Sequence, residues 1–331
     1  MRNQKRRMDW KRWGAVIGCM LLTMGLFGCG EEKETQAPGY TADRVQFSYV
    51  ATPLNVPSIV EKEKNLLAAA YEPFGVQAAG IPFAAGAEQM AALASGDVQI
   101  LPAVGGTSAL LAAANGADLK ILGIYSRSPK TFALYSNDET ITTPEDLRGK
   151  TVAGTKGSNL HELLAAYLAT AGMTVEDVNF VSMNMPNALA ALENGSVDAA
   201  LVAGSAAYAC EKKGKHRVTD GEGLISGAIV TATTQKFYEE NPELIAVFRQ
   251  TQAEILAYIQ EHPEEAVQMA AGELDIPEAA VREMLPLYDF SMEMQPEDVA
   301  SLQSTAQFLY DAHMMEKEIQ VEDFLLPDKQ K

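Results

Sequence analysis

Four short segments carry residue types able to hold a small polar molecule: Thr52-Pro53-Leu54-Asn55, Gly105-Gly106-Thr107-Ser108, Lys156-Gly157-Ser158-Asn159 and Gly204-Ser205-Ala206. Each is small and polar, and each lies where an apolar run gives way to a helical pattern. A strand-to-helix turn of this kind lets a ligand approach the backbone. The helix start behind it offers free N–H groups and the positive end of a dipole, suited to an anion or a polar acceptor. In open α/β sheets these turns sit at the carboxyl ends of strands, where ligands bind. The candidate ligand-binding residues are therefore Thr52, Leu54, Asn55, Gly106, Thr107, Ser108, Lys156, Ser158, Asn159, Gly204 and Ser205, with His161 one turn into the third helix. Hydroxyls at Thr107, Ser108 and Ser158 could equally cap their helices. Tyr135 and Tyr208 could stack on a ligand or simply pack.

Covalent catalysis finds less support. No His-Glu-x-x-His, Gly-x-Ser-x-Gly or phosphate-loop motif occurs, and Lys156-Gly157-Ser158 has the order of the last one wrong. Of the four histidines, His262 stands at a helix boundary before Pro263, and His216 and His313 lie in polar surroundings. Carboxylates concentrate in the helical last third, on solvated faces. No enzyme activity, metal or cofactor is expected. A formal net charge of -18 opposes nucleic-acid binding.

The elements that must position the turns follow from the pattern. Apolar runs at 45–51, 76–81, 98–103 and 121–125, and again at 131–135, 151–154, 178–183 and 197–202, alternate with helical stretches. That order predicts an α/β protein with mixed, mostly parallel sheets and crossover helices. Ser158 starts a helix carrying Leu160, Leu163, Leu164, Tyr167 and Leu168, and Gly172 stops it; Pro186 suits the first turn of the next. The stretch Ala91-Ala92-Leu93-Ala94-Ser95-Gly96-Asp97-Val98 returns as Ala190-Ala191-Leu192-Glu193-Asn194-Gly195-Ser196-Val197. Two lobes built alike leave a cleft, a common place for ligands. After a further run at 228–233 the chain reads as helices, with Pro242, Pro263, Pro277 and Pro296 near their starts.

The N-terminus reads as a processing signal. Arg2, Lys5, Arg6, Arg7, Lys11 and Arg12 precede an uncharged apolar run at 13–27, shorter than the ~20 residues that cross a bilayer. It ends in Leu26-Phe27-Gly28-Cys29, which resembles the bacterial lipobox, with Cys29 as the lipidated residue. Residues 30–42 read as a polar tether. Of three cysteines, Cys19 falls in the signal and Cys29 takes the lipid, leaving Cys210 alone and inert. That excludes an internal disulfide framework. The expected organisation is a signal peptide at 1–28, a lipidated tether at 29–43, lobe 1 at 44–127, lobe 2 at 128–226, and a return to lobe 1 with C-terminal helices at 227–331.

Pro144-Glu145-Asp146-Leu147-Arg148-Gly149-Lys150-Thr151-Val152-Ala153, followed by Lys156-Gly157-Ser158 and His161, resembles solute-binding lipoproteins of ABC importers. The branch is the aliphatic-sulfonate, taurine, nitrate and thiamine-precursor binding group, and the resemblance runs from about residue 45 to 232. It implies a two-lobed periplasmic-binding-protein-like (type II) fold closing on a small anionic or polar molecule. The implied partners are a permease, an ATPase and the membrane reached through the lipid anchor. The implied place is the extracytoplasmic face of the cell membrane, as a monomer. Where relatives often carry Trp-Asp-Pro, this chain has Ala203-Gly204-Ser205-Ala206, implying a wider pocket. No Arg stands in the four turns; Arg127 and Lys156 are the nearby cations. The ligand stays open, as do a sensory or assembly role for the same clamp and an enzyme on the same fold.

Overall fold

The computed structural model describes residues 39–326, so the signal segment, Cys29 and most of the tether lie outside the described residues. Among the described residues ten strands form two five-stranded sheets. The first contains β1 (Arg44–Tyr49), β2 (Gln77–Pro82), β3 (Ile100–Gly105), β4 (Lys120–Arg127) and β10 (Ala228–Thr233), in the order β2-β1-β3-β10-β4. The second contains β5 (Phe132–Ser136), β6 (Thr151–Gly154), β7 (Asn179–Ser182), β8 (Ala199–Ala203) and β9 (His216–Asp220), in the order β7-β6-β8-β5-β9. In each sheet a single strand runs against the other four: β10 in the first, β5 in the second. Each is the first strand after the chain changes lobes. The edge strand of one sheet (β4, β9) thus feeds an interior strand of the other.

Several interior strands, β3, β5 and β8 among them, are continuous apolar runs of the sequence, while interior β1 alternates. β8, Ala-Ala-Leu-Val-Ala, is buried throughout, as a strand covered on both faces must be. The edge strand β9, His-Arg-Val-Thr-Asp, is half-polar, which hides it from an apolar-run search. Pro102 inside β3 cannot donate to a ladder. The register to β10 skips there, from Val230↔Val104 to Ala232↔Leu101, and the Thr231 hydroxyl donates to the Pro102 carbonyl at 2.8 Å.

The repeat is a repeat of structure. Helix α3 (Gly86–Ser95) ends at Gly96 with φ +82°, and α6 (Met185–Glu193) is followed by Gly195 with φ +74°. Each glycine N–H bonds the leucine carbonyl three residues back, Leu93 and Leu192, before the chain enters β3 or β8. The expected prolines also open their helices: Pro242 and Pro263 begin α9 (Pro242–Glu261) and α10 (Pro263–Leu274). Pro277 caps α11 (Glu278–Met284), and Pro296 begins α12 (Pro296–Asp311). Helix α12 returns to the first lobe, where Leu302, Ala306 and Leu309 join the core containing Leu101, Val104 and Val230.

The crossings lie side by side. Gly227, at φ +59°, sits so close to Pro129 that a Cβ would stand 2.6 Å from the Pro129 Cα. Beneath the first sheet, α1 (Val56–Lys64) carries Glu61 into a cavity of about 10 Å³ shared with Ser48, Ser58 and Gln252, enough for one water. Burial pushes the Glu61 carboxyl up to about 7, against the opposing Leu67 N–H. Its ordinary value is 4.5, so the stability it contributes is fully present below that pH and is lost as pH rises through 7. Scanning calorimetry should show a decline of about 2–3 kcal/mol over that window, and Glu61→Gln should flatten it. An unchanged slope in the variant would overturn the assignment.

Candidate functional site

The four turns meet in two pairs across the lobes: the 105–108 turn faces the 156–159 turn, and the 52–55 turn faces the 204–206 turn. Three precede helices that start at the junction: α4 (Gly106–Ala114) after β3, α5 (Asn159–Ala169) after β6, and α7 (Ser205–Lys212) after β8. Helix α1 follows β1 in the same way. None of the four has a side-chain cap on its first turn.

Contacts between lobes are direct. Ser108 Oγ donates to the Gly157 carbonyl at 2.7 Å, Asn159 Nδ2 to the Ala228 carbonyl at 3.0 Å, and the Ser205 amide to the Pro53 carbonyl at 3.2 Å. Gly105 permits this approach, since a Cβ there would stand 2.7 Å from Asn159 Oδ1. Gly106 makes room within the first lobe, where its Cβ would stand 3.1 Å from the Ala228 carbonyl oxygen that accepts from Asn159. Gly204 is tighter still, with φ +50° and Pro53 and the Tyr288 hydroxyl within 2.6 Å of where its Cβ would be. This is a shut arrangement.

The turns differ in what they leave free. At α1 the Ser58 amide is taken by the Tyr125 hydroxyl at 3.1 Å and the Val56 amide by the Leu54 carbonyl. Leu54 is fully buried in a core with Val56, Ile59 and Ile255. Asn55 ties its own loop through the Val50 and Thr52 carbonyls, and Thr52 is exposed. At α5, Ser158 Oγ donates to Thr155 O at 2.7 Å rather than capping the helix. His161 is buried, stacks on Phe180 with ring centroids 4.7 Å apart, and accepts from the Gly157 amide at Nδ1. Burial, and then Lys156, push it down to about 4, so the ring is neutral at pH 7. Lys156 is exposed and has no ion pair among the described residues.

Arg127, the other nearby cation, is committed within the fold. Its guanidinium is spent on Asp298, at 2.6 and 2.5 Å, and on Asp289, Ser291 and the Glu293 carbonyl. It staples the first crossing to α12 and has no fork left for a ligand. Tyr135 packs within the second lobe and donates to Glu211 at 2.9 Å. Tyr208 packs on the Leu54 core of the opposite lobe.

Sequence reasoning missed Glu162, whose carboxylate accepts from the hydroxyls of Thr107 on α4 and Thr305 on α12, the latter at 3.0 Å. All three side chains are buried, and burial raises the Glu162 carboxyl above the ordinary range while the two hydroxyls oppose that shift. Glu162 falls on the buried face of an apolar helix; that mismatch was the available signal. Ser126, Ser128 and Tyr288 were missed too. Their hydroxyls, with Asn159 Oδ1, are the buried side-chain atoms without a partner among the described residues.

Among the described residues the junction shows no nucleophile held by a base. His161 Nδ1 faces a backbone amide, and Cys210 is buried with its thiol pushed up to about 11, by burial first. Among the described residues no cluster of His, Cys, Asp and Glu is arranged for a metal, and no helix is long and apolar enough to cross a membrane.

Relatives share this frame. A protein of Bacillus subtilis (strain 168) named for binding aliphatic sulfonates is 26% identical over 306 residues, covering 90% of each chain. A taurine-binding periplasmic protein of Escherichia coli (strain K12) is 34% identical over 170 residues, 50% of this chain and 52% of the relative. The solved alkanesulfonate-binding protein SsuA from Xanthomonas axonopodis pv. citri, bound to MOPS, superposes with a TM-score of 0.78. It does so at 22% identity, over 86% of this chain and 98% of SsuA. The family model described as NMT1/THI5 like matches residues 60–266, and the chain belongs to that family.

Proposed function

We propose that this protein is an extracytoplasmic solute-binding lipoprotein of an ABC importer, which shuts its lobes on a small polar or anionic organic molecule and delivers it to a permease. The observation that carries the reading is the convergence of strand-end turns from both lobes, with the uncapped starts of α4, α5 and α7 at the junction. A ligand touching both lobes only when they are shut shifts the population toward closure. The shape of the closed form is what the permease reads. Cys29, outside the described residues, is the proposed lipid site and holds the protein at the membrane surface. Thr107, Ser108, Ser158, Asn159, Gly204 and Ser205 are the proposed ligand neighbours; Leu54 and Asn55 shape their turn from within the lobe. We assign no catalytic step to the site.

A thermal scan tests the reading. A cognate ligand at 100 times its dissociation constant stabilises by about 2.7 kcal/mol, a rise of several degrees. The panel includes alkanesulfonates, aminoalkyl sulfonates, carboxylates, nitrate and heterocyclic amines. A flat response to the whole panel would remove the binding function.

A further inference from the structure

One carboxyl group is buried between the lobes. Glu162 comes from α5 in the second lobe, and both side chains that reach it come from the first. Thr107 on α4 donates to one carboxyl oxygen, and Thr305 on α12 donates to the other at 3.0 Å. Glu162 is only 3% exposed. Parting the lobes would break both bonds and return the group to water. Closure is therefore the step between two environments for one ionisable side chain.

The shut environment suits the neutral group better than the charged one. Taking a carboxylate out of water is costly unless a cation or enough donors compensate it. No cation is paired with Glu162 among the described residues, and α4, β5, β8 and β10 bring no charged side chain to α5. On α12, Glu297 and Asp311 are exposed and Asp298 is held by Arg127. The turns at 144–147 and 175–177 carry Glu145, Asp146 and Glu176, all exposed, and Asp177, paired with Arg148. Lys156 is exposed, and His161 beside Glu162 is neutral. The two hydroxyl bonds oppose desolvation without cancelling it, so the shut carboxyl stays above its ordinary 4.5. Hydroxyls accept as well as donate, so both threonines can also serve the protonated form.

We infer that Glu162 is a proton-gated latch: shutting the lobes takes up a proton there, so acid outside the cell tightens the clamp and alkali loosens it. The latch rests on the proposed closing motion and adds its regulation. Its contribution to closure is complete below the ordinary carboxylate value and is lost as pH rises through the raised one. Two other groups at the lobe contacts have the opposite sign. Burial pushes His161 down, so any part of that burial due to closure would make acid open the lobes. The Lys212–Glu283 pair, 3.1 Å apart between α7 and α11, is weakened by acid. Of the three, only Glu162 favours closure as pH falls.

Small-angle scattering of the ligand-free full chain from about pH 5.5 to about pH 8 tests the latch. The radius of gyration should fall by roughly 1 Å toward acid. Glu162→Gln keeps the shape without the charge and should stay compact across the range. The protein's net charge, -18 at pH 7, shrinks in acid in both chains alike, so the difference between them reads the latch. Thr305→Val removes one opposing donor at little change in volume and should move the transition to higher pH. Circular dichroism confirms folding of both variants. An equal pH response in Glu162→Gln and the unsubstituted protein, expansion in acid, or an unmoved transition in Thr305→Val overturns the latch. No ligand is needed, so a flat thermal panel with the Glu162-dependent response intact removes only the binding function. Ligand binding without that response removes only the latch.

Discussion

Replacing Gly204 with alanine is expected to lower ligand affinity about 100-fold by depopulating the shut form, with both lobes still folded. The reason is local and doubled. At φ +50° and ψ -118° the backbone lies where a side chain is strained, a cost of about 1–3 kcal/mol. The new Cβ would also stand 2.5 Å from the Pro53 Cβ, 2.6 Å from the Tyr288 hydroxyl and 2.8 Å from the Pro53 carbonyl oxygen. Those atoms belong to the opposite wall: two are fixed in the Pro53 ring and backbone, and the third is the tip of Tyr288, a buried ring stacked on Phe290. Relief comes by parting the lobes, which also breaks the Ser205–Pro53 hydrogen bond. Small-angle scattering of the ligand-free variant should show a larger radius of gyration, and adding ligand should fail to reduce it. Gly96→Ala is the control, because its positive φ is comparable and its Cβ would meet open space. It should lose stability without losing affinity. Binding in Gly204→Ala within about threefold of the unsubstituted protein would show that closure does not pass through this contact.

Arg127→Ala should lower the melting temperature by about 5–10 °C while leaving ligand preference unchanged. The guanidinium makes two bonds to Asp298 and further bonds to Asp289, Ser291 and the Glu293 carbonyl, joining the end of β4 to the start of α12. Burial would raise the Asp298 carboxyl; the Arg127 fork and the Gln295 amide outweigh it, so the group sits below the usual carboxylate range. With the Asp298 side chain only 11% exposed, losing its partner costs about 2–4 kcal/mol. Arg127→Lys keeps the charge without the planar fork and should recover less than half of the loss. If Arg127→Ala melted normally but no longer bound acidic ligands, the guanidinium would be a ligand group, and the staple described here would be wrong.

Much of this molecule is written locally. Strands such as β5 and β8 are unbroken apolar runs, which a sheet covered on both faces accommodates. The helix ends follow from proline and glycine chemistry, at Pro242, Pro263 and Pro296 on one side and Gly96 and Gly195 on the other. The turns that gather at the junction were legible for the same reason, since small residues between a strand and a helix are a local signal. The polar edge strand β9 was not, because it has one covered neighbour and needs few apolar residues.

What each polar side chain does at the junction was a different kind of question. Ser158 has the identity of a cap, and a capping role is local; its proton goes instead to Thr155. Arg127 has the identity of an anion clamp, but α12, about 170 residues further on, arrives with the carboxylate that claims it. Glu162 looks like one more surface acid until Thr107 and Thr305 come from distant segments to cover it. By itself, then, the sequence determined the strands, helices and turns, because propensity and periodicity act between near neighbours. The tertiary structure alone decided which donors and acceptors remain for a ligand, because hydrogen-bond partners are assigned by whatever the fold brings within 3 Å.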